Sequence, residues 1–305
     1  MDLPRYSIAI HSTVASYREW RRKAFQEGKS VGFVATMGAL HEGHASLVEV
    51  PSKEGTGTQK RTPDAVFVPS VKEMYPSGIS QTVSEQKGTF VEVKGFGHQM
   101  EGSMRPDFFR GVATVVTKLF HVIEPSKTYF GQKDIQQALI LRKLTGDLLL
   151  SHPSSENLHI VPTARDSSSS LALSSRNAYL QPIELTDIAP SLYAALQEGK
   201  RSWETGLSKS ECIARAKALI ESKVQDVHND PRLEEKPVIK LDYIEMNDPE
   251  SFDVLSEGID IGVWEDEGEG DKGRPVILSG AMWVGKTRLI DNIVLGDGGR
   301  LGIIN

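Results

Sequence analysis

The chain has one cysteine in 305 residues, Cys212. A single thiol excludes an intramolecular disulfide and a zinc site built on cysteines. It stands in Ser210-Glu211-Cys212-Ile213-Ala214, a helical pattern in which it reads as a small core residue. No apolar run approaches the roughly 20 residues of a membrane-spanning helix. The first residues, Met1-Asp2-Leu3-Pro4-Arg5, lack the basic-then-apolar order of a secretion signal. There is no basic block, and the formal net charge is -6, which argues against nucleic acid as a partner. What is present, 39% hydrophobic and 25% charged residues, suits a globular protein of one large or two medium domains. The expectation is a cytoplasmic enzyme, with neither membrane nor nucleic acid among its partners.

Patterning divides the chain in two. Strands are expected at 6–11, 31–35, 65–68, 127–130 and 158–161, with an edge strand at 89–93. Helices are expected at 13–27, stopped by Gly28, at 111–123, with Val112, Val115, Val116, Leu119 and Phe120 on one face, and at 134–144. Alternating strands and helices argue for a doubly wound parallel sheet with ligands at the strand C-termini. The second half changes character. Ser167-Ser168-Ser169-Ser170 reads as a loop and candidate hinge. Helical patterns follow at 182–198 and 209–224, and strand-like runs at 237–244, 262–264 and 275–278. The acidic, glycine-rich run 265–273 reads as a solvated loop. The expected domains are 1–163, a Rossmann-type domain, and 164–305, a smaller α+β lid.

The densest signal is Thr36-Met37-Gly38-Ala39-Leu40-His41-Glu42-Gly43-His44. It follows the strand-like Val31-Gly32-Phe33-Val34-Ala35 and runs into Ala45-Ser46-Leu47-Val48, the start of a helix. Strand, glycine turn and helix N-terminus together offer backbone N–H groups and a positive dipole end to a phosphate. Two histidines three apart across that turn can face one ligand, such as a nucleoside triphosphate held for attack at its α-phosphorus. A lone histidine would read as a satisfied surface or core residue; the pair in this context favours the site. Gly131-Gln132-Lys133-Asp134 lies at a second strand end. A third motif is rejected. Gly280-Ala281-Met282-Trp283-Val284-Gly285-Lys286-Thr287 fits the P-loop pattern, but Met, Trp and Val crowd a loop that must wrap phosphate, and only eighteen residues follow Thr287.

Six ordered blocks carry a family resemblance. They are Thr36 to His44, followed by Phe67-Val68-Pro69-Ser70-Val71-Lys72-Glu73-Met74-Tyr75-Pro76; Arg105-Pro106-Asp107-Phe108-Phe109-Arg110-Gly111-Val112; Tyr129-Phe130-Gly131-Gln132-Lys133-Asp134-Ile135-Gln136-Gln137; Leu173-Ser174-Ser175-Arg176-Asn177; and Arg288-Leu289-Ile290-Asp291-Asn292. Over nearly its whole length the chain resembles the pantothenate synthetases (pantoate–β-alanine ligases). The resemblance implies a nucleotidyltransferase-like Rossmann fold of the His-x-Gly-His kind. The implied reaction is ATP-dependent joining of pantoate and β-alanine through a pantoyl adenylate, with magnesium, releasing AMP and diphosphate. Family members are usually homodimers.

The resemblance also implies roles. ATP would lie against Thr36, Met37, Gly38, His41, Gly43, His44, Gly131, Lys133, Asp134, Ala164, Leu173, Ser174, Ser175 and Arg176. His41 and His44 would contact phosphates. Lys133 would neutralise charge as the pantoate carboxylate attacks. Ser174, Ser175 and Arg176 would form a second phosphate clamp, with a helix N-cap as the other reading of the serines. Asp134 has the same alternative. Met37 and Gln137 would bind pantoate. Ligands for the metal and a base for the β-alanine amine are not identified.

The chain departs from the family after Val50. There the family has a strand ending in Asn-Pro-x-Gln-Phe and then further helix. Here Pro51 is expected to end the motif helix, and a polar stretch runs directly to Asp64. A βαβ unit needs ~30 residues, and the gap does not hold one. Neither Gln59 nor Gln81 stands in the right context to replace the family's pantoate-binding glutamine. Two other readings therefore stand beside the ligase: an adenylyltransferase-type nucleotide enzyme, and an inactive ATP-binding relative.

Overall fold

The computed structural model describes residues 8–38, 40–56, 62–80, 82–105, 107–231, 233–266 and 274–304, of which 51–56 and 265–266 by backbone alone. Ala39, Gln59, Gln81, Pro106, the start of the 6–11 strand and most of the acidic run lie outside the described residues. The chain forms two compact units. The first holds residues up to 36 together with 44–130 and 136–159, and the second holds 37–43, 131–135 and 160–305.

The first unit starts with β1 (Ala9–His11), α1 (Val14–Gln26) and β2 (Gly32–Val34). Thr13 caps α1, its hydroxyl accepting from the Ser16 N–H at 3.2 Å. Tyr17, Arg21 and Ala24 form the buried stripe at spacings of four and three. The helix closes at Gly28, whose φ of +69° suits glycine and whose N–H donates to the Phe25 carbonyl at 2.9 Å. There follow α2 (Glu42–Thr56), β3 (Ala65–Phe67), α3 (Val71–Met74), α4 (Glu101–Met104), α5 (Phe108–Ile123), β4 (Lys127–Gly131), α6 (Ile135–Asp147) and β5 (Leu158–Val161). Along α5 the buried stripe is Phe109, Ala113, Val116, Phe120 and Ile123, about one position round from the face that Val112, Val115 and Leu119 suggested.

The parallel strands expected of a doubly wound sheet are present, in two pieces. β1 pairs with β3 from Ala9↔Ala65 to His11↔Phe67, and the other piece has the order β2-β4-β5. β2 pairs with β4 from Gly32↔Lys127 to Val34↔Tyr129. Phe33 of β2 and Phe67 of β3 pack on one small cluster of Tyr17, Val31, Val122 and Ile123. Among the described residues no ladder joins β2 to β3, so each piece ends in an edge.

Two local expectations for this unit are corrected. Helix α2 runs through Pro51 to Thr56. A proline removes one N–H and crowds one carbonyl, a penalty of about 3 kcal/mol, which a helix can absorb. Residues 89–93 form no strand. The Val91 backbone is instead satisfied by the Thr114 hydroxyl of α5, which accepts from its N–H at 2.9 Å and donates to its carbonyl at 3.3 Å.

The second unit adds α7 (Ser191–Glu204), α8 (Lys209–Asn229), β6 (Ile239–Asn247), α9 (Ile261–Asp266), β7 (Val276–Val284) and β8 (Thr287–Leu295). Residues 182–198, expected as one helix, begin with a wide π-helical turn (Glu184–Ile188) before α7. A complete capping box, Ser208 with Glu211, starts α8. The strands form an antiparallel sheet of order β6-β7-β8, with Leu196 and Trp203 of α7, Ile220 of α8 and Leu278 of β7 in one core. Cys212 is fully buried there, and burial pushes its thiol up to about 11. Residues 262–264 are helical, because Asp260 starts α9: its carboxylate accepts from the Val263 N–H at 3.1 Å and its carbonyl from the Trp264 N–H at 3.0 Å. The P-loop lookalike is the end of β7, the turn to β8 and the first residue of β8. Gly280 is in mid-strand, where a Cβ would meet Leu192 at 3.1 Å and the Tyr243 carbonyl at 3.2 Å.

Candidate functional site

Thr36, His44 and Gln137 belong to the first unit. Thr36 is exposed beyond the end of β2. His44 is the third residue of α2, in the first turn, where the positive end of the helix dipole lies. Gln137 is half-buried on α6. The other predicted site residues lie in the second unit, on three segments: 37–43, 131–135 and 164–176.

The first segment is held by close backbone approach. A Cβ on Gly43 would lie 2.9 Å from the His41 ring and 3.4 Å from Cβ of Leu173. Gly38 has φ +78°, and a Cβ there would lie 3.6 Å from Oγ of Ser175. Glycine at these two positions lets the histidine loop sit against the Leu173-Ser174-Ser175 loop. Met37 and Leu40 are left 85% and 76% exposed, an apolar surface open to a ligand.

His41 is half-buried, and its Nδ1 accepts from the Gly43 N–H at 3.1 Å. That bond needs an unprotonated Nδ1 and leaves Nε2 carrying the proton. Electrostatics agree: burial, and then the positive charge of Lys133, lower the pKa of His41 below the ordinary 6.5. The folded protein therefore favours neutral His41. The resulting stability is complete above the unfolded pKa near 6.5 and is lost as pH falls through the lower folded value. The His41 ring is expected to titrate below 6.5 by NMR, and Lys133→Ala to move its midpoint up. A midpoint above 6.5, or one that ignores Lys133, contradicts this electrostatic account.

Lys133 stands in the short 3-10 turn Gln132–Asp134 that links β4 to α6. Its side chain is 22% exposed, and its ammonium lies 3.0 Å from the Asp134 carboxylate. Asp134 thus engages the lysine, where the sequence also allowed a helix cap. Ser174 caps the one-turn helix Ser175–Tyr179, its Oγ accepting from the Arg176 N–H at 3.2 Å. The cap uses the hydroxyl only as an acceptor, so its proton remains available. Arg176 donates to the Arg288 carbonyl at 3.1 Å, and the Ala164 carbonyl accepts from the Leu173 N–H at 2.9 Å. Lys133, Ser174, Arg176, Asn177, Arg288 and Asp291 line one cleft. The serine run 167–170 is an ordered turn. The Asp166 carboxylate accepts from the N–H and hydroxyl of both Ser168 and Ser169, and these bonds hold its pKa far below the usual range.

Sequence reasoning gave no role to Arg165, Asp291 or Asn292. Asp291 is buried and pairs with Arg165 through two bonds, 2.6 and 2.8 Å, and the guanidinium stacks 3.4 Å over the Tyr193 ring. The available signal was Asp-Asn inside an otherwise apolar strand, where both residues are disfavoured unless partnered.

The comparisons with known proteins fit this geometry. The family model described as pantoate-beta-alanine ligase matches residues 9–58 and 53–294. The pantothenate synthetase of Herpetosiphon aurantiacus is 35% identical, over 90% of this chain and 96% of its own. The pantoate–beta-alanine ligase of Saccharomyces cerevisiae is 34% identical, over 94% and 100%. The crystal structure of pantothenate synthetase from Thermus thermophilus superposes with a TM-score of 0.70 at 31% identity, over 94% and 99%. The family match breaks at 53–58, and the yeast alignment spans 334 positions against the 305 residues of this chain. The break coincides with the unit missing after Val50 and with the two-piece parallel sheet. By the extent of these matches the chain belongs to the pantoate–beta-alanine ligase family.

Proposed function

We propose that this protein condenses pantoate with β-alanine at the expense of ATP, through a pantoyl adenylate, releasing AMP and diphosphate. The observation that carries the reading is the donor set of the second unit: a lysine, an arginine, two serine hydroxyls and an Nε2–H imidazole on adjoining loops. These groups suit a polyphosphate. In the first step a pantoate carboxylate oxygen bonds to the α-phosphorus, and the bond to the departing diphosphate breaks. Negative charge grows on the α-phosphoryl and bridging oxygens. Lys133 offsets it, while His41 Nε2–H, the Ser174 and Ser175 hydroxyls and the free N–H groups of Arg176 donate to phosphate oxygens. His44 is assigned to the phosphates on the His-x-Gly-His resemblance. In the second step the neutral β-alanine amine attacks the acyl carbon, and AMP leaves with the bonding pair.

Thr36, Met37, Gly38, Gly43, Gly131, Asp134, Ala164 and Leu173 are assigned to ATP, and Met37 and Gln137 to pantoate. Residues 1–163 are read as the ATP- and pantoate-binding part and 164–305 as the lid. Among the described residues no group of three His, Cys, Asp or Glu is placed to hold a metal. The donors beside Lys133 suit an anion, so the described residues offer no cage for magnesium. The ion is read as part of the substrate, carried by the ATP phosphates. A homodimer in the cytoplasm completes the proposal. It is consistent with this that no described helix is long and apolar enough to cross a membrane.

A second reading, an inactive ATP-binding relative, is favoured by the break at 53–58 and by the parallel strands lying in two pieces. The deciding experiment is AMP formation by the purified chain with ATP, magnesium and pantoate, with and without β-alanine. AMP release that needs both substrates supports the ligase. ATP binding without AMP supports the inactive relative. Pyrophosphate exchange without pantoate points to an adenylyltransferase-type enzyme.

A further inference from the structure

The buried middle of β8 is tied to the loop that carries Lys133. Asn292 is 2% exposed, and its side-chain amide is fully engaged. Nδ2 donates to the carbonyls of Gln132 and Lys133 at 2.9 and 3.0 Å, and Oδ1 accepts from Nε2 of Gln132 at 3.2 Å. The bonds span 159 or 160 positions of sequence; two end on Gln132 and one on the backbone carbonyl of the lysine itself. Asn292 is in turn fixed. It pairs with Ser279 in the middle of the β7–β8 ladder, and its N–H donates at 2.8 Å to Asp291 Oδ1, the carboxylate that grips Arg165.

A lysine side chain has four rotatable bonds and no shape of its own. Where its charge rests depends on where its Cα is held and on what crowds its stem. The Gln132–Asp134 turn has only one 3-10 turn of internal bonding, so the Asn292 amide is its main external tether among the hydrogen bonds described for it. We propose that Asn292 is a positioning residue: it fixes the Gln132–Lys133 backbone so that the Lys133 ammonium meets the α-phosphate. The inference rests on the ligase reading for its kinetic part but not for its geometric part. Displacing a reacting group by about 1 Å lowers rates on the order of a hundredfold.

The experiment compares Asn292→Ala, Asn292→Asp and Gln132→Ala. Asn292→Asp keeps the shape and sets a carboxylate against two carbonyl oxygens. Gln132→Ala removes only the bond that orients the amide. Pantoate-dependent pyrophosphate exchange and the NMR titration of His41, which senses the Lys133 charge, are measured for each. Both Asn292 variants are expected to lower kcat about 10- to 100-fold with little change in the KM for ATP. Both should raise the His41 midpoint toward its value in Lys133→Ala. Gln132→Ala should shift both readouts the same way by less, and it decides the matter if the Asn292 variants do not fold. In a Lys133→Ala background the Asn292 change should add almost nothing. An unmoved His41 midpoint, or an equal further loss in that background, overturns the proposal. If the wild-type chain shows no exchange, the ligase reading fails, and the His41 titration still decides whether Asn292 positions Lys133.

Discussion

Lys133→Ala is expected to cut pantoate-dependent pyrophosphate exchange by about a hundred- to a thousandfold, the loss typical of removing one preorganised charge-stabilising group. The residue has the attributes such a loss requires. Its side chain is mostly sheltered, at 22% exposure, so its charge is less screened than that of a surface lysine. It lines the cleft with Ser174 and Arg176, and its field reaches His41. Its structural ties are modest: one ion pair with the half-exposed Asp134 and backbone bonds that alanine keeps. The variant should therefore fold and unfold like the parent, with an effect confined to kcat. His44→Ala is expected to lower exchange similarly without unfolding the chain. Unchanged turnover in either variant would remove that residue from the site.

The largest expected change in stability lies far from the chemistry. Lys209, at the start of α8, has a side chain with no exposure at all. Its ammonium donates to the Leu255 carbonyl at 2.8 Å and pairs with Glu245 and Glu257, both at 2.9 Å. Burial by itself would lower its pKa, but the bonds to the two carboxylates outweigh burial and hold it above the ordinary value. Lys209→Ala leaves the Leu255 carbonyl without this donor, strips Glu245 of its counter-charge and opens a void. Glu257 is largely exposed and can return to water. The loss should fall near the lower end of what breaking a buried pair costs, about 3 kcal/mol, or a fall in Tm of roughly 6–12 °C. Lys209→Met fills the volume without the charge and should lose less. Urea unfolding is the check: a lower midpoint at an unchanged m-value is expected, and an alanine variant within about 0.5 kcal/mol of the parent would show that the buried pair contributes little.

Much of the candidate site was legible because it is local. The strand, the glycine turn and the two histidines fall within fourteen residues, and phosphate recognition at a helix N-terminus needs little more than that order. The serine N-cap at Ser174 follows from nearest neighbours in the same way. The false P-loop was also legible as false, since its bulky residues suit a buried hairpin and β7 uses them so. Where local reading failed, a distant partner decided. Val91 is satisfied by a threonine on α5, so 89–93 did not need a strand. Residues 262–264 were too few to choose a period until Asp260 supplied a cap.

By itself the sequence determined the family, the alternating half, the His-x-Gly-His motif and the segment missing after Val50. Each is written in contiguous residues or in the order of blocks. Only the tertiary structure decided that the parallel strands fall into two pieces, with β2 and β3 on one cluster and no ladder between them among the described residues. Only the fold, too, brought Asn292 to the backbone of Lys133. A strand edge and a side-chain tether are both matters of which backbone groups find partners, and where the partner is 159 residues away, as for Lys133, no local pattern names it.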